Sequence, residues 1–202
     1  MTNGDKKSRR NVKSRGITIN AHEKGKDFIT ETELEELVQG AKKCRHRWRD
    51  TAMLRVMFWH GLRVSELCNL RRSDLDFKSG QLFVRRVKGG LSTHQPLRGD
   101  ELRALKRYLK ERSSSALPWV FITERGEQFT RHGINYLLRV ISERSSLPFP
   151  VHPHMLRHGC GYALANRGRD TRLIQDYLGH RDIKHTTRYT RTASARFERA
   201  WD

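Results

Sequence analysis

The stretch Ala52-Met53-Leu54-Arg55-Val56-Met57-Phe58-Trp59 constrains this chain more than any other. Wound as a helix over about 49–60, it is apolar nearly all round, and such a helix is stable only when other elements enclose it. The sequence therefore predicts a buried central helix with a domain built around it, ended by Gly61. The 202 residues suffice for one such domain and a sizeable core. Upstream, Thr30 and Glu33 have capping-box spacing, and Leu34, Leu37, Val38 and Ala41 follow at helical intervals. Downstream, a short helix runs from Val64 to Leu70. Gln81–Val87 and Leu91–Leu97 read as two strands joined by a tight Lys88-Gly89-Gly90 hairpin. A helix from Asp100 to Arg112 is broken by Ser113-Ser114-Ser115, and Trp119–Ile122 reads as a short strand. Further helices are predicted near 130–143, 154–166, 171–178 and 193–201, with Gly168 and Gly179 as stops. The expected fold class is mainly α with a small antiparallel β-sheet.

Charge narrows the partners. There are 41 Lys and Arg against 22 Asp and Glu, a formal net charge of +19. Residues 1–26 read as a basic, flexible tail, with eight Lys/Arg against Asp5 and Glu23, so +6 resides there and +13 on the body, residues 27–202. The tail is either solvated and disordered or an arm for phosphates. A polyanion, nucleic acid first, is the simplest partner for a basic body. A membrane surface is the second candidate, set behind nucleic acid because no apolar run approaches the roughly 20 residues of a spanning helix. The N-terminus also lacks a signal peptide's apolar core, and no membrane partner is expected. Three cysteines, Cys44, Cys68 and Cys160, without paired short spacings predict neither a disulfide framework nor a zinc site. They fit small buried or half-buried thiols in a reducing cytoplasm.

The chemistry concentrates in a few separated motifs. In His152-Pro153-His154-Met155-Leu156-Arg157-His158, Pro153 opens a helix, and His154 and Arg157 share one of its faces. Arg brings a permanent forked charge and His a proton carrier near neutral pH, together a phosphate grip. Two alternatives stand beside that reading: a metal pair from His154 and His158 at i, i+4, and a structural histidine pair. Arg157 between them and the lack of a His-Glu-x-x-His pattern count against metal. Twenty-three residues after Arg157 comes His180 in Leu178-Gly179-His180, and nine later Tyr189 among cations and hydroxyls. Upstream, Arg63 sits in Gly61-Leu62-Arg63-Val64-Ser65-Glu66-Leu67, placed by packing or merely snorkelling from a helix end. Glu66 either orients Arg63 or is a surface carboxylate. Lys88 stands beside two glycines that let a ligand approach, or is an ordinary turn lysine.

In this order, Arg63, hairpin Lys88, His154-x-x-Arg157, Leu178-Gly179-His180 and Tyr189 resemble the motifs of the tyrosine recombinase/phage integrase family, over about residues 27–202. The phrase Asp170-Thr171-Arg172-Leu173-Ile174-Gln175-Asp176-Tyr177-Leu178-Gly179-His180 and the short length are similar to the fimbrial phase-variation invertases. The resemblance implies a catalytic domain without the family's usual N-terminal core-binding domain. It implies Tyr189 as nucleophile, Arg63 and Arg157 on the non-bridging phosphate oxygens and His180 hydrogen-bonding the same group. His154 would manage the tyrosine proton, Lys88 would protonate the leaving 5′-oxygen, and Glu66 would support the first motif. No metal and no cofactor are needed in that scheme.

The implied partners are double-stranded DNA with inverted-repeat sites, other copies of the chain in a homotetramer on synapsed DNA (a monomer in solution), and accessory DNA-bending proteins. The implied outcome is inversion of a segment such as a fimbrial promoter switch. Ala193, Phe197, Ala200 and Trp201 form one apolar helical face that either caps the chain's own core or docks on a neighbour. The rival readings are a regulator that binds DNA without cutting it, a type IB topoisomerase-like enzyme and an RNA-binding protein. No aromatic stacking motif supports the last.

Overall fold

The computed structural model describes residues 26–87, 89–112, 117–193 and 197. Residues 1–25 of the basic tail, Lys88, the Ser113-Ser114-Ser115 break, Ala200 and Trp201 lie outside them, as does most of the predicted 193–201 helix.

The central helix is present. It is α2 (Arg47–Trp59), in which Ala52, Met53, Leu54, Val56, Met57 and Phe58 are all buried. Three helices enclose it: α1 (Glu31–Lys42), α4 (Gly99–Glu111) and α6 (Pro153–Asn166). α1 begins at the expected capping box, in which the Glu33 amide donates to Thr30 Oγ1 at 3.2 Å and the Thr30 amide to Glu33 Oε2 at 2.8 Å. α5 (Arg131–Arg144) packs on α1, and α3 (Val64–Cys68) leads away from the end of α2. At that end His60, fully buried, lies 2.7 Å from Glu101 Oε1 on α4 and 2.8 Å from Gln95 Oε1.

In the sheet, the two hairpin strands are shorter than the sequence predicts, and the strand that joins them is one it does not predict. The antiparallel order is β1 (Leu75–Asp76), β2 (Gln81–Val84) and β3 (Thr93–Pro96), with Leu82 opposite both Leu75 and Gln95. Leu82 and Val84 face the core, as period-2 alternation requires. Pairing stops after Val84 because the next backbone groups find other partners. The Arg86 amide donates to Ser92 Oγ at 3.1 Å and the Val87 amide to Glu66 Oε1 at 3.3 Å. Trp119–Ile122 is not a strand. Trp119 and Ile122 make isolated bridges to Arg71 and Gln128.

A second, smaller cluster of Cys160, Ala165, Ile174, Leu178, Tyr189 and Ala193 joins α6 to α7 (Thr171–Leu178) and α8 (Lys184–Arg191). α8 is a helix that periodicity does not reveal. Its sequence, KHTTRYTR, buries only Thr186 and Tyr189, so packing rather than pattern forms it. Of the predicted C-terminal face, Ala193 is buried here and Phe197 is exposed.

The contact of α6 with α2 is close. A Cβ on Gly159 would lie 2.6 Å from Phe58 Cε2 and collide with the Ile29 carbonyl oxygen. Gly159→Ala is therefore expected to destabilise the fold by about 1–3 kcal/mol, the usual range for an overpacked core, as measured by urea unfolding. An unchanged midpoint would contradict this packing.

Candidate phosphate-binding and nucleophile site

The site forms where two helices end. α2 closes through His60 and Gly61, and α7 through Tyr177, Leu178 and Gly179. The last carbonyls of a helix have no intrahelical donor and carry partial negative charge. Here arginines take them up. Arg157 Nη2 donates to Leu178 O at 2.7 Å and Nη1 to Gly61 O. Arg86 Nη2 donates to His60 O at 2.8 Å and also to Tyr177 O, and Arg63 Nη2 donates to Gly179 O at 3.2 Å.

Both turns need glycine. Gly61 and Gly179 have φ of +53° and +64°, in the left-handed region that side chains rarely adopt. A Cβ on Gly179 would lie 2.6 Å from Arg86 Cγ, and one on Gly61 would strike Leu178.

Glu66 is the carboxylate beneath these arginines. Its Oε1 accepts from Arg63 Nη1 at 2.7 Å, and its Oε2 from Arg86 Nη1 at 2.8 Å and from the Arg63 amide at 2.9 Å. Arg157 Nη1 stands 3.9 Å from Oε2. Burial pushes the Glu66 carboxyl up, but the guanidinium groups of Arg86 and Arg63 and the Arg63 amide outweigh it and hold the carboxyl below its usual range. Glu66 therefore orients the arginines and is no surface carboxylate. Three guanidinium charges meet one carboxylate, so the cluster keeps a positive excess. Burial, with Arg63 and Arg86 close by, brings Arg157 down to about 10, so it remains charged at neutral pH but short of a counterion. Arg63 is the partly open member, with its side chain 25% exposed against 5% for Arg157 and 0% for Arg86. An anion entering beside Arg63 would meet this excess in a low-dielectric setting, where it counts most.

Lys88 itself lies outside the described residues, but its neighbours are held to the site. Val87 is bound to Glu66, and a Cβ on Gly90 would lie 2.7 Å from Gly179 O. His154 and Arg157 lie on one side of α6 at different depths, His154 exposed and Arg157 buried.

Tyr189 is fully buried. Its ring stacks beside His180, with centroids 6.2 Å apart and planes at 24°, while His180 Nδ1 is 2.8 Å from Thr186 Oγ1. Its hydroxyl meets His158, one helical turn beyond His154, with Nδ1 at 2.7 Å. Burial raises the Tyr189 phenol to about 12 against the pull of Arg188 and Arg157. Burial, then nearby positive charge, lowers the His158 ring to about 4 and the His180 ring to about 3, so both are neutral at pH 7. His158 Nδ1 is thus engaged by the hydroxyl, and among the described residues no group of three His, Cys, Asp or Glu side chains is placed to hold a metal ion.

Two of these residues escape sequence reasoning. Arg86 is one of 41 basic residues, and no local pattern marks it. His158 is visible in the sequence only as half of a histidine pair.

The fold and site define a member of the phage integrase family, the tyrosine recombinases: the family model matches residues 27–196, and the chain belongs to it. The chain is 42% identical over 185 residues to the type 1 fimbriae regulatory protein FimB of Escherichia coli K12, covering 90% of this chain and 92% of that protein. The crystal structure of XerA recombinase superposes with a TM-score of 0.75 at 28% identity, over 86% of this chain and 63% of that one. The same fold, at 22% identity and a TM-score of 0.72, occurs in the XerH site-specific recombinase bound to its palindromic difH substrate, over 87% of this chain and 52% of that one. Among the described residues no helix is long and apolar enough to cross a membrane.

The neutral histidines have a consequence for stability. In the unfolded chain they titrate near the ordinary 6.5. Below that pH the unfolded state takes up protons that His158 and His180 refuse until about 4 and 3, so stability falls as pH falls. Between pH 6.5 and 5 the thermal midpoint is expected to drop, and His180→Asn to make the drop shallower. An equal slope in wild type and variant would contradict the buried neutral ring.

Proposed function

We propose that this protein is a site-specific DNA recombinase that cuts and rejoins strands through a 3′-phosphotyrosyl intermediate, inverting a segment between inverted repeats such as a fimbrial promoter switch. The observation that carries the reading is the arginine excess on Glu66, whose member Arg157 is bound to the carbonyl of Leu178, a residue that packs in the same small cluster as the family tyrosine, Tyr189.

A phosphodiester resists attack because its two free oxygens repel a nucleophile and its leaving alkoxide is poor. In this reading Arg63 and Arg157 neutralise those oxygens as charge builds, and His180 adds a hydrogen bond. Tyr189 attacks phosphorus, its P–O bond forming as the bond to the 5′-oxygen breaks. Lys88 gives the departing oxygen its proton, and His154 helps manage the tyrosine's. Glu66 holds the arginines in place. The new ester keeps the phosphodiester's energy, so a 5′-hydroxyl displaces Tyr189 without ATP. Guanidinium groups supply the positive charge that a metal ion supplies elsewhere, so no metal or other cofactor is required. Residues 27–202 are the catalytic unit, and the eight Lys and Arg of residues 1–26 add to the charge available for phosphates. Strand exchange between two sites calls for four protomers, a homotetramer on synapsed DNA, with DNA-bending proteins as accessories. The place of action is the nucleoid.

The regulator that only binds DNA shares the fold and charge, and one experiment separates the two. On a nicked suicide duplex carrying the inverted repeat, the wild-type protein is expected to form a covalent adduct in EDTA without ATP, and Tyr189→Phe to form none. Band shifts without an adduct in wild type would favour the regulator. A strict metal requirement would refute the mechanism.

A further inference from the structure

The family nucleophile is stored where it cannot react. An attacking oxygen must reach about 3–3.5 Å from phosphorus, in line with the leaving group. The Tyr189 side chain has no exposed surface, and its hydroxyl is spent on His158 Nδ1 at 2.7 Å.

The storage place is shaped for the ring. A Cβ at Gly161 would lie 2.6 Å from Tyr189 Cε2 and 2.7 Å from Cζ, so the bare backbone of α6 forms one wall. Tyr162 meets the ring edge-on at 5.0 Å between centroids, and His180 lies along it. His158 and Gly161, three apart on α6, thus hold the hydroxyl and the ring together.

His158 is a poor proton acceptor in this arrangement. Moving the proton from a phenol raised to about 12 to a ring lowered to about 4 is steeply uphill, so it stays on the tyrosine. A buried donor without an acceptor is costly, whereas one neutral hydrogen bond adds only about 0.5–1.5 kcal/mol. That contact is strong enough to favour the stored position and weak enough to be given up.

We propose that His158 is a positioning residue: with the glycine wall at Gly161 it forms a latch on α6 that keeps Tyr189 folded away until substrate binding displaces α8. The proposal rests on Tyr189 being the nucleophile. α8 suits such a release. Its eight residues bury only Thr186 and Tyr189, and its other ties are polar, Thr190 to Thr171 at 2.9 Å and Arg188 to Asp27. The tyrosine ring is therefore the helix's chief apolar anchor.

The latch is tested first on the free protein, by nitration with tetranitromethane and peptide mapping of each tyrosine. In wild type, exposed Tyr136 is expected to be nitrated and Tyr189 spared. His158→Ala is expected to raise Tyr189 nitration about 2–10-fold, the equivalent of one hydrogen bond. His158→Asn, whose amide group stands near the place of Nδ1, is expected to restore the wild-type level, which a merely space-filling role would not do. Tyr189 nitrated as fast as Tyr136 in wild type, or no rise in His158→Ala, overturns the proposal. Should His158→Ala fail to fold by circular dichroism, His158→Gln replaces it, since its amide group reaches toward the Nε2 position and leaves Nδ1's place empty.

The second arm uses the nicked inverted-repeat duplex. His158→Ala is expected to form adduct at least as fast as wild type. A loss of a hundredfold or more would make His158 a proton acceptor in the reaction and overturn the latch. An adduct that survives Tyr189→Phe would instead refute Tyr189 as nucleophile, leaving the nitration results to stand as a description of a buried side chain.

Discussion

Three guanidinium groups, from Arg63, Arg86 and Arg157, converge on the carboxylate of Glu66. Burying so much like charge is costly, and one carboxylate does not balance it. The fold meets the cost with main-chain carbonyls: the ends of α2 and α7 are aimed at one point, and their unpaired oxygens accept the arginine donors. The buried α2 is needed to bring His60 and Gly61 to that point. The left-handed glycines at 61 and 179 turn the chain without a side chain in the way. What remains is an unbalanced positive site with one open side at Arg63. In the proposed function a phosphodiester supplies the missing negative charge, in keeping with membership of the tyrosine recombinases.

Much of this was legible in the sequence because strong local rules apply. The apolar run of α2, the Thr30–Glu33 cap, the glycine stops and the separated motifs each carry a pattern that survives folding. The missed features lack one. α8 is polar along nearly its whole length and is helical because Tyr189 and Thr186 pack on α6 and α7. The strands end early because Arg86 and Val87 turn their amides to a serine hydroxyl and a distant carboxylate. Arg86 is indistinguishable by type from the other basic residues, and its role depends on a partner twenty residues away. Spacing put His154 and Arg157 on one face of α6 but said nothing of depth, and it is His158 that reaches the tyrosine hydroxyl.

Storage and chemistry make opposite demands on Tyr189. As a buried member of the small cluster joining α6, α7 and α8, it stabilises the last part of the fold. As the nucleophile we propose, it must leave that cluster. The same burial raises its phenol to about 12, and in the proposed latch it also keeps the hydroxyl from phosphates while the protein is unbound. Neutral His158 and His180 belong to the same arrangement, since a charged ring at either place would add to an existing positive excess.

The central claim is that the arginine cluster exists to neutralise the charge of a scissile phosphate. A methylphosphonate at that position removes the charge while keeping the geometry. Arg63, partly open, is the arginine whose removal least disturbs the packed cluster. On an ordinary phosphodiester, Arg63→Ala is expected to lose about 10²–10³-fold in adduct formation, the usual effect of removing one donor to a developing oxyanion. On the methylphosphonate duplex it is expected to regain most of that loss relative to wild type. An equal deficit on both substrates would contradict the account, since it would mean that Arg63 serves the fold or the DNA grip and not the charge on the phosphate.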